Sequence, residues 1–127
     1  MVLIVVRLTA DERAFLLQGL AVWGGPTAPT DAVARVVGYA DVAEMDTGND
    51  RLRDGLGRGD ALTAEDWRRA LVATELGFAS DRLGAGIEWS IVTPFTDEQS
   101  VVLLRAVQRR ISEAIHGTRD GDTRSGA

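Results

Sequence analysis

At 127 residues, with 45% hydrophobic and 26% charged, the chain has the size and balance of one soluble globular domain with a single core. It has no cysteine, which excludes disulfides, thiolate metal sites and a cysteine nucleophile. The net charge of −5 belongs to one stretch, because residues 41–66 carry eight acids against three arginines while the remainder is neutral.

All fourteen basic residues are arginine and Asn49 is the sole asparagine, a bias away from A/T-rich codons that points to a high-GC bacterium. Met1 to Val6 is apolar but only six residues long, too short to span a membrane, and reads as part of a buried strand in a cytoplasmic protein. That first strand, 2–8, is rich in β-branched residues. Thr9-Ala-Asp-Glu12 is a capping box, so a helix follows with Phe15, Leu16, Leu20 and Trp23 on its apolar face, and Gly24-Gly25-Pro26 ends it. Thr30 caps a short helix from Asp31 to about Val37, which Gly38 closes. Asp41-Val-Ala-Glu44 is a second capping box that starts a third helix at Val42. The turn-forming DTGND run is expected to interrupt this helix, leaving a turn or two near 51–56 before a flexible GLGRGDA linker.

The helix expected over 64–83 is apolar on two sides. Trp67, Ala70, Leu71, Thr74, Gly77 and Phe78 fall along one face, Val72, Leu76, Ala79 and Leu83 along another, with Arg68, Glu75 and Arg82 between. Such a helix is central. Thr63 caps it, Leu62 staples onto Trp67, and Gly84 and Gly86 stop it. Residues 87–93 alternate, with Ile87, Trp89 and Ile91 on one side, and read as a second strand. Thr96 and Gln99 box the last helix, whose stripe runs through Val101, Leu104, Val107, Ile111 and Ile115. The fold class expected is α+β and mostly helical: about five helices around the 64–83 helix, with a two-stranded ribbon from 2–8 and 87–93. One globular domain covers 1–116, and 117–127 forms a disordered polar tail.

Ala34, Gly38, Tyr39, Ala40 and Asp41 lie in a run, DAVARVVGYADVAEM, that resembles the helix-turn-helix segment of bacterial transcription regulators of the arabinose-activator type. The resemblance covers about fifteen residues and implies a supporting and a recognition helix within 31–56. The recognition helix it implies would hold Glu44, Asp46, Asp50 and Asp54, the sign opposite to the one that neutralises phosphate, so nucleic acid is an unlikely partner.

Three further groupings carry chemistry on paper. Asp46, Asp50, Asp54 and Asp60 lack the alternate spacing and terminal glutamate of an EF-hand, so no metal is expected. Glu75 and Asp81, with Trp89 beyond, are the polar residues nearest the core and the pocket candidates for a general acid or base. His116, the single histidine, has no partner in reach, and no serine elbow or phosphate loop occurs. Trp23, at a helix end, is expected to be partly exposed.

The leading reading is a small acidic protein-interaction domain, an adaptor or inhibitor without catalysis or cofactor. Its Glu44, Asp46, Asp50, Asp54 and Trp23 would meet a protein with a basic surface. The alternative is a helix-turn-helix-derived regulator, and the third an enzyme using Glu75 or Asp81. No membrane association is expected. The unguarded apolar edge of 2–8 points to a homodimer.

Overall fold

The computed structural model describes residues 1–117 in full and, over 118–126, the course of the last helix alone. The polar tail expected over 117–127 lies at and beyond that limit, outside the described residues.

Among the described residues there are six α-helices: α1 (Ala10–Ala21), α2 (Asp31–Val37), α3 (Val42–Arg58), α4 (Ala64–Ala79), α5 (Trp89–Val92) and α6 (Asp97–Gly126). A 3-10 turn at Gly86–Glu88 runs straight into α5. None of the described helices is long and apolar enough to cross a membrane.

The starts are made by side chains of the expected type. Thr9 and Glu12 close a reciprocal box, with the Glu12 amide donating to Thr9 Oγ1 (3.1 Å) and the Thr9 amide to Glu12 Oε1 (2.8 Å). Thr96 and Gln99 do the same for α6 at 3.0 and 3.1 Å. Thr30 and Thr63 accept from Val33 and Asp66. Asp41 accepts from the Glu44 amide, but Glu44 turns back to the amide of Ala40 rather than closing the box on Asp41.

The ribbon is a correction: among the described residues there is no sheet. Residues 2–8 are extended but pair only through Ile4, which exchanges both backbone hydrogen bonds with Leu62 (2.7 and 3.1 Å). Residues 87–92 are helical, and Thr93 ends them in an extended conformation. Burial there falls on Ala85, Trp89 and Thr93, a spacing of four, while Ile87 and Ile91 are exposed at 75% and 79%. Thr93 Oγ1 donates to the carbonyl of Trp89 (2.7 Å), which fits a helical turn. Seven residues are too few to tell a period of two from one helical turn anchored by a single aromatic.

A second correction concerns α3, which runs unbroken through DTGND and through most of the expected linker to Arg58; Gly59, at φ 76°, caps it. Met45, Gly48, Asn49, Leu52 and Leu56 are buried at helical spacing, and that packing overrides the turn chemistry. Gly48 is required because the Tyr39 ring lies where a Cβ would go.

The expected 64–83 helix ends earlier, at Ala79, capped by Ser80. One of its faces is fully buried at Trp67, Ala70, Ala73, Thr74 and Gly77. The other, through Val72 and Leu76 to Leu83, is only partly covered. α1 packs across α4, α3 and α6, and α4 also meets α2, α3 and the 3-10 turn. The α1–α4 approach is close enough that a Cβ on Gly19 would collide with Thr74. Phe15 lies edge-on to Phe78, Trp89 and Phe95, with centroids 5.5–6.4 Å apart, and this aromatic cluster joins α1, α4, α5 and the segment leading into α6.

Candidate interaction groove between α1 and α3

The eight acids of 41–66 divide sharply by what they touch. Asp41 and Glu44 cap α3. Asp60 pairs with Arg58 (2.9 Å) and Glu65 with Arg69 (2.9 Å). Asp66, 11% exposed in its side chain, takes Arg51 through both oxygens (2.8 and 3.0 Å) and Arg69 at 3.1 Å. The hydrogen bond from Arg51, with further help from Arg69, outweighs burial and lowers the Asp66 carboxyl below its ordinary range. The same bond holds Arg51 above its usual value.

Asp46, Asp50 and Asp54 are different. They follow one another at i, i+4 and i+8 along the exposed side of α3, and among the described residues none has a hydrogen bond or an ion pair. Two adjoining cavities, of about 530 and 350 Å³, run beside this stripe. The larger has Leu17, Gln18 and Ala21 of α1 on one wall and Asp50, Arg53, Asp54 and Gly57 of α3 on the other. The smaller continues past the end of α1 to Trp23, Gly24 and Gly25, with Asp46, Asn49 and Asp50 opposite. The fold makes this groove because α1 ends at Ala21 and the chain turns away at Gly24, whose φ of 82° suits glycine.

Electrostatically the groove is negative. Three carboxylates face one guanidinium, that of Arg53. α1 has no basic residue in its last turn, so the negative end of its dipole at this rim is not offset. Asn49, 5% exposed, is among the residues lining the smaller cavity, and its Oδ1 is a buried acceptor with no donor among the described residues.

Four of the five residues expected to meet a partner, Asp46, Asp50, Asp54 and Trp23, thus line one groove. Glu44 does not, being occupied as a cap. Trp23 corrects the expected exposure: it is 6% exposed, and its indole N–H donates to the Ala73 carbonyl (3.0 Å). Asn49 was missed. An asparagine in a turn-like GND run gives no hint of burial until α3 is seen to be continuous.

The pocket candidates are not brought together. Glu75 accepts from Gln108 Nε2 (2.6 Å), Asp81 accepts from the Ile87 amide (3.0 Å), and Trp89 is enclosed by Phe15 and Phe78 with its N–H on Ser100 Oγ (2.9 Å). None of the three lines a described cavity. His116 is exposed. No cluster of three metal-ligating side chains occurs among the described residues.

The helix-turn-helix run takes a definite form. α2 and α3 are joined by 38–41, Gly38 sits at φ 119°, and Asp31 accepts from the Val42 amide (3.0 Å). Tyr39 is packed between Gly48 and the guanidinium of Arg69, 4.6 Å above its ring, while Arg69 also donates to the Gly38 carbonyl. Burial raises the Tyr39 phenol's pKa. The Gly-Tyr pair here braces the turn against α4.

In comparison with known proteins, the chain matches no family model, no curated protein and no solved structure.

Proposed function

We propose that this is a small cytoplasmic protein-interaction domain, an acidic adaptor or inhibitor whose α1–α3 groove receives a basic segment of another protein. The observation that carries this reading is the stripe of Asp46, Asp50 and Asp54. The chain neutralises or uses its other acids in 41–66, whereas these three, beside a groove, have no partner among the described residues. A stripe of like charge at i, i+4 spacing weakens its own helix, so it suits a partner better than it suits the fold. Complementary charge would speed association and select against acidic partners. The test is capture from lysate of a high-GC bacterium by immobilised protein and by its Asp46→Asn/Asp50→Asn/Asp54→Asn variant. A basic protein retained by the first and lost by the second is the expected result; identical captures sink the reading.

The α2–α3 pair supports a second reading, a helix-turn-helix-derived regulator. It meets the difficulty that α3 presents carboxylates where a recognition helix needs cations or neutral donors. A salt-sensitive shift of duplex DNA would promote it. A homodimer is also proposed, on the exposed Met1, Val2, Leu3 and Val5 of the extended first segment, which carry neither charge nor proline against edge pairing. Light scattering at micromolar concentration tests it; a mass of 13.6 kDa that dilution leaves unchanged removes it.

A further inference from the structure

We infer that the outward face of α6 around Val101 and Val102 is where two copies of this chain meet, antiparallel about a two-fold axis. The inference rests on the homodimer reading and gives the dimer a surface other than the first segment. α6 turns Ser100, Val107, Ile111 and Ile115 to the core. On its far side Glu98, Val101, Val102, Arg105 and Arg109 recur at helical spacing and are exposed, the two valines at 51% and 68%. The fold has no use for valine there. A β-branched side chain lowers helix propensity, and an apolar one left in water forgoes burial.

The charges on this face are equally without a use inside the chain. Among the described residues Glu98 and Arg109 have no hydrogen bond or ion pair, and Arg105 meets only Gln108 of its own helix (2.9 Å). Glu98 and Arg105 stand two turns apart, too far to pair within one helix. Arg105 and Arg109, one turn apart, repel each other.

A foreign partner would need only the opposite pattern. A second copy needs a face that is its own complement, because a two-fold axis sets residue i against j and j against i. This face meets that condition. With the axis midway between Val101 and Val102, each Val101 lies against the partner's Val102, and each Glu98 lies level with the partner's Arg105. A parallel pairing would instead set Glu98 against Glu98 and Arg105 against Arg105. Beside the seam, a cavity of about 410 Å³ is edged by Glu98 and Val102 and lined also by Phe95 and Leu103, which adds apolar surface for the partner. The charge pairs fix direction and register, and the apolar groups supply the burial. Two helices meeting over a few turns make a small interface, so the dimer is weak and comes apart on dilution.

The test is sedimentation equilibrium of the full chain from micromolar to near-millimolar concentration. Glu98→Arg and Arg105→Glu change exposed side chains, and circular dichroism should show the same helix content in both. Each turns two attractive pairs into two repulsive ones, so each should weaken the dimer by at least about tenfold. An equimolar mixture of the two variants should dimerise again, since across that pair both contacts are once more opposite in sign. Val5→Lys, on the first segment, should leave this dimer intact. A chain that stays monomeric throughout overturns the inference and the homodimer reading together. A dimer indifferent to both reversals, or one that mixing does not restore, overturns the inference alone. If Val5→Lys then abolishes that dimer, the first segment is its interface and the homodimer reading stands.

Discussion

The seam between α3 and α4 and the groove between α1 and α3 flank the same helix and come from the same acidic stretch, yet they treat charge in opposite ways. In the seam, Asp66 is nearly covered and held by two arginines, while Glu65 and the Tyr39 ring complete the network around Arg69. In the groove, Asp46, Asp50 and Asp54 stand in water with no partner among the described residues. A carboxylate out of water needs hydrogen-bonding cations, and one in water needs nothing. Net negative charge read along a sequence therefore mixes acids that hold the fold with acids that are free to act.

The largest effect is expected just beside the seam. Trp67 is buried and donates its indole N–H to the Ile4 carbonyl (2.9 Å), so it also ties down the extended first segment. Trp67→Ala should cost roughly 3–5 kcal/mol in a denaturant melt, the range for emptying a buried aromatic site. A loss below about 1 kcal/mol would mean that the α4 end of the seam does not organise the core.

Asp66→Ala should cost about 2 kcal/mol, since it strips two guanidinium groups of a charged acceptor, one of them largely solvated. Acidity gives a second reading of the same residue. Its folded value lies below the ordinary 3.8, so its contribution is complete above that pH and is lost as pH falls through the folded value. Glu12 behaves alike: burial raises its pKa, but hydrogen bonds from the Thr9 amide and from Arg110 together hold it below the ordinary 4.5. Acid titration of stability should be shallower in Asp66→Ala than in the parent. Superimposable acid limbs would show that the seam's ion pairs contribute nothing to folding.

Gly19→Ala probes the α1–α4 approach that sets where α1 ends and hence where the groove opens. The added methyl would meet Thr74, whose hydroxyl is committed to the Ala70 carbonyl (2.8 Å), and should cost about 1–3 kcal/mol. A neutral substitution, measured by thermal melt, would mean that the two helices can slide.

The smallest effect is the most telling. Asp46→Asn/Asp50→Asn/Asp54→Asn removes two like-charge i, i+4 pairs, each worth about 0.2–0.5 kcal/mol against the helix. Stability should stay level or rise by a few tenths of a kcal/mol, against the marked loss at Asp66. A fall of more than about 1 kcal/mol would place these carboxylates among the structural acids and close the contrast.

Much of the helical layout is written locally. Thr9, Thr30, Asp41, Thr63 and Thr96 each start a helix by accepting from an amide three residues on, and Gly38 closes α2 in the left-handed region. A cap needs only its own neighbours, so sequence suffices for it. Asp46, Asp50 and Asp54 were legible as acids of one segment, but their alignment on one face waited on the continuity of α3, because the turn-forming DTGND run predicted a break among them.

Other features depend on parts of the chain far away in sequence. The continuity of α3 rests on Met45, Leu52 and Leu56 finding a core and on Tyr39 settling against Gly48, and without those contacts DTGND is turn chemistry. Residues 87–92 are helical because Trp89 finds Phe15 and Phe78, and among the described residues no strand lies beside them to pair with. Asp66 and Asp50 are the same residue type in the same acidic run, and only the arrival of Arg51 and Arg69 at one of them decides which is structure. Caps and periodicities are short-range and follow from sequence alone, whereas burial and ion pairing are long-range and were decided by how the helices came to rest on one another.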